Sequence, residues 1–152
     1  MREYKIIIGE SIGDIRLGMT SREAQARLVE YKENNYQPYG GSRMVHESIS
    51  EDFIVSYNEH DRVDFICFNN FTEAMVTLDD LPLSEIGCFE LFTKIHDLDP
   101  EAEVDSEGFI SNALGFGVTF VTESLTDSNG REHICEMFDT LQVVTKDFWK
   151  EN

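Results

Sequence analysis

Basic residues are what this chain has least of for its size: 12 Lys and Arg stand against 30 Asp and Glu, a formal charge of −18 at pH 7. Nucleic acid and anionic membrane surfaces both need a basic footprint, so the deficit argues against either as a partner. Cysteine is scarce as well, at three residues, Cys67, Cys88 and Cys135. An odd number set in apolar runs such as Phe65-Ile66-Cys67-Phe68 predicts buried, inert thiols and no disulfide framework. Long apolar runs are missing too. Ile6-Ile7-Ile8 near the start falls far short of the roughly 7–15 residues of a secretory signal core, and no segment approaches the ~20 apolar residues that span a bilayer. The expected location is therefore the reducing cytoplasm.

Local catalytic signatures are also absent. There is no G-x-S-x-G elbow, no P-loop and no G-x-G-x-x-G, and His46, His60, His96 and His133 show neither H-x-x-x-H nor H-E-x-x-H spacing. The expectation is a protein that is not an enzyme, with no cofactor and no metal. Two chemistries stay open beside it. Cys67 or Cys135 with His133 is a conceivable nucleophile pair, and Asp64 with Glu136, on two similar hairpins, is a conceivable carboxylate pair for a hydrolase.

What is present is ample core material. Hydrophobic residues make up 41% of the 152 residues, with 11 Phe among them. A chain of this length forms one domain that buries roughly 68–70% of its unfolded surface. The charge is unevenly placed: residues 1–76 hold 13 acids and 8 bases, net −5, while 77–152 hold 17 acids and 4 bases, net −13. Solubility asks for a net charge of roughly 2–8, and the surplus adds self-repulsion to the folded state. A basic partner drawn in by electrostatic steering offsets that repulsion.

The patterning predicts a single α+β domain over 1–152, built on an antiparallel β-sheet of about six to eight strands with two helices packed on one face. Tyr4 to Ile8 opens with a strand. Thr20-Ser21-Arg22-Glu23 is a capping box, which starts a helix over 21–33. Phe53, Val55 and Tyr57, then a turn at 58–61, then Val63, Phe65 and Cys67, form a hairpin. In the second half Ala74 to Leu78 is strand-like, Ser84 caps a helix over 84–96 with Cys88, Leu91, Phe92 and Ile95 as its apolar stripe, and Gly117 to Val121 with Arg131 to Phe138 forms another hairpin around a turn at Asp127-Ser128-Asn129-Gly130. Residues 62–68 and 131–135 share an Arg-…-Ile-Cys pattern, which raises a helix-plus-hairpin repeat over 12–70 and 74–140.

Ile15-Arg16-Leu17-Gly18-Met19-Thr20-Ser21-Arg22-Glu23 resembles the I-x-L-G-M-T-x-x-E opening of small bacterial α+β binding modules, among them the outer-membrane assembly lipoprotein and the β-lactamase inhibitor protein type. The resemblance implies a protein-binding module, in the second case a tandem one. The corresponding stretch of the second half, Leu78-Asp79-Asp80-Leu81-Pro82-Leu83-Ser84, lacks the Gly-Met pair. In general type, a small acidic protein of this kind resembles immunity proteins that neutralise a basic toxin such as a nuclease.

The candidate contact residues follow from charge and exposure. Asp97, Asp99, Glu101, Glu103, Asp105 and Glu107 place an acid at every second position, with Asp79, Asp80, Glu85 and Glu90 nearby in sequence. Read as a Ca²⁺ loop from Asp97, the run has Ala102 where glycine is needed and Gly108 where the closing Glu is needed. A solvated connection and a contact surface for a basic protein are the other readings. Tyr36 and Tyr39 flank a Pro-Gly-Gly loop and suit interface anchors, or lids on the core. The leading expectation is an immunity or inhibitor protein with a basic partner. The alternatives are a self-associating structural or regulatory accessory domain and the carboxylate hydrolase.

Overall fold

The computed structural model describes the backbone of residues 1–38, 41, 44–126, 129–130, 132–146 and 148–151, and their side chains apart from 123–126, 132–136, 150 and 151. A β-branched run makes β1 (Arg2–Ile7), and β2 (Ser11–Ile12) and β3 (Ile15–Arg16) fold back as a short hairpin. Helix α1 (Ser21–Arg27) follows, then a meander of β4 (Lys32–Tyr36), β5 (Val45–Ile49), β6 (Phe53–Tyr57) and β7 (Val63–Phe68). The second half runs through a like order of elements. It has β8 (Ala74–Leu78), β9 (Leu81–Pro82), α2 (Leu83–Ile86) and α3 (Cys88–Leu98). A second meander of β10 (Glu103–Val104), β11 (Gly108–Ser111), β12 (Phe116–Thr126) and β13 (Glu132–Val144) precedes a short α4 (Phe148–Glu151).

The result is a mainly β, α+β architecture of two sheets. The larger has eight strands in the order β10-β11-β12-β13-β7-β6-β5-β4. All its pairings are antiparallel, and the last strands of the two meanders meet at its centre. The smaller has five strands in the order β3-β2-β1-β8-β9, with β1 and β8 parallel. The single sheet expected from the sequence is thus accompanied by a second, mixed one. Parallel pairing joins strands from opposite halves of the chain and leaves no hairpin signature to read.

One core spans both sheets and the helices. Phe53, Val55, Ile66, Phe68, Phe116, Val118, Leu141 and Val143 from the large sheet join Ile6, Ile12 and Val76 from the small one, Ala24 of α1 and Leu91 and Ile95 of α3. Among the described residues no helix is long and apolar enough to cross a membrane.

Two helix boundaries are corrected. The capping box is present, with the Glu23 amide donating to Thr20 Oγ1 at 3.2 Å and the Thr20 amide donating to Glu23 Oε1 at 3.3 Å. The helix nevertheless ends at Arg27, because Leu28 is already extended and Glu30 turns left-handed at φ 49°. Residues 32–36 then gain a full antiparallel ladder with β5, a better use of their backbone than a solvent-exposed helical end rich in asparagine. The helix expected over 84–96 is split at Gly87, whose φ of 81° suits a residue without a side chain. Pro82, not Ser84, occupies the cap position of α2 and makes no side-chain cap bond. Gly18, at φ 88°, makes the turn into α1, and the Gly18 amide and Met19 carbonyl are both bonded to Val63 at 2.9 and 2.7 Å. The turn expected at 127–130 falls largely on Asp127 and Ser128, which lie outside the described residues.

Candidate functional site

The acidic second half begins at the β8–β9 turn. Asp79 and Asp80 take φ 53° and 66°, the two-residue left-handed turn that aspartate tolerates. Their carboxylates reach Lys94 at 4.0 Å and Lys5 at 3.4 Å while staying 77% and 87% exposed. Such exposed pairs leave most of the negative field in place.

Helix α3 turns Cys88, Leu91 and Ile95 into the core, and its other face carries Phe89, Glu90, Thr93, His96 and Asp97 into solvent. Phe89 is 83% exposed. Glu85 and Glu90 stand in the first turns of α2 and α3, where a negative charge favours the helix N-terminus. Among the described residues none of Glu85, Glu90 and Asp97 forms an ion pair. Sequence reading missed Phe89 as a candidate. The usable signal was its phase, a position out of step with the apolar stripe at 88, 91 and 95.

The segment 97–107 does not present its acids as one row. Asp97, Glu101, Glu103 and Glu107 are exposed, but Asp99 is 8% exposed and turned inward. Ser111 Oγ donates to Asp99 Oδ2 at 2.6 Å, and the Glu101 amide donates to Oδ1 at 3.1 Å. Asp105 closes the β10–β11 turn, accepting from the amides of Glu107 at 2.8 Å and Gly108 at 3.0 Å. A Cβ on Gly108 would lie 2.0 Å from the Val118 carbonyl, so the turn is packed hard against β12. Asp99 is therefore a structural carboxylate and leaves the outward set, whereas Asp105 caps its turn through Oδ1 while remaining exposed beside the other four. Alternation in sequence does not become alternation in space here because β10 is only two residues long.

In the first half Tyr36 ends the edge strand β4 at 43% exposure, its phenol pKa raised by burial and by Glu47. Tyr39 lies outside the described residues. The strongest polar cluster is one that no sequence pattern announced. Asp52 accepts from Arg2 Nε at 2.7 Å and Nη2 at 2.9 Å, from Tyr4 Oη at 2.5 Å and from Asn70 Nδ2 at 2.8 Å. The Arg2 guanidinium, helped by Tyr4 and Asn70, holds the Asp52 carboxyl down at about 2 against the opposing effect of burial. Burial, then the bond to Asp52, pushes Tyr4 up to about 12. The Glu51 carboxyl is raised by its neighbour Glu73. A cleft of about 140 Å³ beside this cluster is lined by Arg2, Tyr4, Arg27, Leu28 and Val29 among others. That is small against the roughly 300–1,000 Å³ of ordinary ligand pockets.

Of the two alternative chemistries, the carboxylate pair is held apart by the strand register. Asp64 is the extra residue of a bulge in β7, and its carbonyl accepts from the Thr145 amide at 3.0 Å. Glu136 lies further back along β13, opposite Thr122. At about 3.3 Å per residue, that register sets the two backbone positions on the order of 30 Å apart. Burial pushes the Cys67 thiol up to about 11, which leaves no thiolate at neutral pH. The side chains of His133 and Cys135 lie outside the described set. Among the described residues no group of three or more His, Cys, Asp or Glu converges as a metal would require.

No protein-family model, no curated protein and no solved structure matches the chain.

Proposed function

We propose that this chain is a non-catalytic, acidic protein-binding module of the immunity or inhibitor type, which neutralises a basic protein such as a nuclease toxin. The observation that carries the reading is the exposed surface of α2 and α3, which offers Phe89, 83% exposed, together with Glu85, Glu90 and Asp97, exposed carboxylates that form no ion pair among the described residues. A bare aromatic ring on helices that also expose carboxylates suits an interface anchor, with apolar and charged groups offered on the same elements. Asp79, Asp80, Glu101, Glu103 and Glu107 extend the same field. The proposal includes residence in the cytoplasm, in keeping with the buried thiol of Cys67. It also treats residues 12–70 and 74–140 as two copies of one unit with their helices on one face of the large sheet, a view supported by the matching element order of the two halves.

The test is capture of partners from native lysate at low salt with release along a salt gradient, followed by association kinetics on the protein released. The expected outcome is one basic protein whose association rate falls steeply with ionic strength, and whose binding weakens at least tenfold with Phe89→Ala. An association rate and affinity that stay flat from low to high salt sink the proposal. A self-associating accessory domain is the second reading, favoured by the outer edge of β4, which pairs with no further strand among the described residues. Sedimentation that shifts with protein concentration would select it.

A further inference from the structure

Strands β12 and β13 outrun the sheet that supports them. β11 pairs with β12 only from Phe116 to Thr119, and β7 pairs with β13 only from Leu141 to Val144. Beyond Phe120 and Phe138, and among the described residues, the two strands pair with each other alone, out to Thr126 and Glu132. A two-stranded ribbon is marginal in water by itself. An open edge is also a template on which another strand can form.

The register identifies the free amides. The Phe120 amide donates to the Glu107 carbonyl at 2.9 Å, so Phe120 turns its backbone groups toward the β11 side. The bulge at this level places the extra residue, Asp139, in β13 and leaves β12 regular. Alternation along a regular strand then puts the N–H and C=O of Thr122 and Ser124 on that same edge, where β11 has already ended.

We propose that this edge of β12 takes up an extended basic segment of the partner as an added strand. The inference rests on the reading of a basic partner and names where part of it docks. Residues 120–126 and 132–139 contain four acids and neither Lys nor Arg. Glu103 and Glu107, both exposed, line an open groove of about 530 Å³ against the base of the ribbon. Val121 and Met137 are cross-strand partners at 42% and 44% exposure, an apolar strip beside the same edge. A strand with cations on one face and apolar side chains on the other complements both features. A second copy of this chain would bring the same acids and another −18 of charge, so repulsion opposes it as the occupant.

Hydrogen exchange of the full chain, followed by NMR at low salt, tests this with a short peptide alternating lysine and valine. The expected result is exchange about tenfold slower at the Thr122 and Ser124 amides, with no slowing by a peptide alternating glutamate and valine. Thr122→Pro removes an edge-facing N–H while leaving the bonds to β13 in place, and should weaken the lysine peptide about five- to tenfold. Ser124→Pro is the second variant, and an unchanged exchange rate at Val118 reports an intact sheet in either. Equal protection by both peptides overturns the proposal, as does undiminished binding to both proline variants. Protection that grows with protein concentration in the absence of peptide overturns it in favour of a second copy. Lysine-peptide binding that survives Thr122→Pro but is lost with Glu85→Gln and Glu90→Gln overturns the edge and keeps the acidic-face reading. A basic partner whose binding ignores salt removes that reading whatever the edge does.

Discussion

Asp52 gathers four hydrogen bonds from Arg2, Tyr4 and Asn70 on a side chain 7% exposed, whereas Glu85, Glu90 and Asp97 stand in solvent with no ion pair among the described residues. The first half has 8 bases for 13 acids and spends one of them on locking β1 to the β5–β6 turn. The second half has 4 bases for 17 acids, so most of its charge stays on the surface as an uncancelled field. The difference separates carboxylates that hold the fold together from carboxylates available to a partner. Asp99 shows that the line does not follow sequence position, since it sits within the acidic run and yet belongs to the structural class.

The comparison breaks most visibly at Asp52. Asp52→Ala leaves a guanidinium, a phenol and an amide without their shared acceptor, and urea unfolding should show a loss of about 2–3 kcal/mol. Asp99→Ala strips the buried Ser111 hydroxyl of its acceptor and should cost about 1–2 kcal/mol in the same assay. Neutralising Glu85 and Glu90 together as Gln should move the thermal midpoint little, since the repulsion removed offsets the lost attraction of two carboxylates to their helix N-termini. A clear loss of stability in that double variant would place those acids in the structural class and erase the contrast.

Titration sharpens the same contrast. The folded-state pKa of Asp52, about 2, lies below its ordinary 3.8, so the unfolded chain binds more protons between these values. The stabilisation from Asp52 is therefore complete above about 4 and is lost as pH falls through about 2. Tyr4 works in the opposite direction, its pKa being raised from 10.0 to about 12. Its contribution is complete below about 10 and is lost as pH rises through about 12. Asp52→Asn should flatten the acid limb of the stability profile, while the Glu85 and Glu90 variants should leave that limb in place.

Much of the local architecture was legible. The capping box at Thr20 and Glu23 and the alternation of Phe53, Val55 and Tyr57 against Val63 to Phe68 each depend on residues close in sequence, whose steric and hydrogen-bonding preferences act wherever the chain goes. The candidate site was legible only as composition. Glu85, Glu90, Asp97, Glu101, Glu103 and Glu107 emerge on the surface as their charge requires. Asp99 does not, because a carboxylate follows whichever donors the fold brings within reach, and Asp105 stays exposed while it caps its own turn.

The sequence by itself determined the sign and asymmetry of the charge, the β-rich patterning, the start of the first helix and the burial of Cys67 and Cys88, all consequences of side-chain chemistry and short-range sterics. Only the tertiary structure decided that β1 pairs with β8, that Arg2 finds Asp52, that Phe89 is left bare and that β12, among the described residues, outruns β11. Each of these depends on which distant segments share the core, and that choice follows from the summed burial of the whole chain.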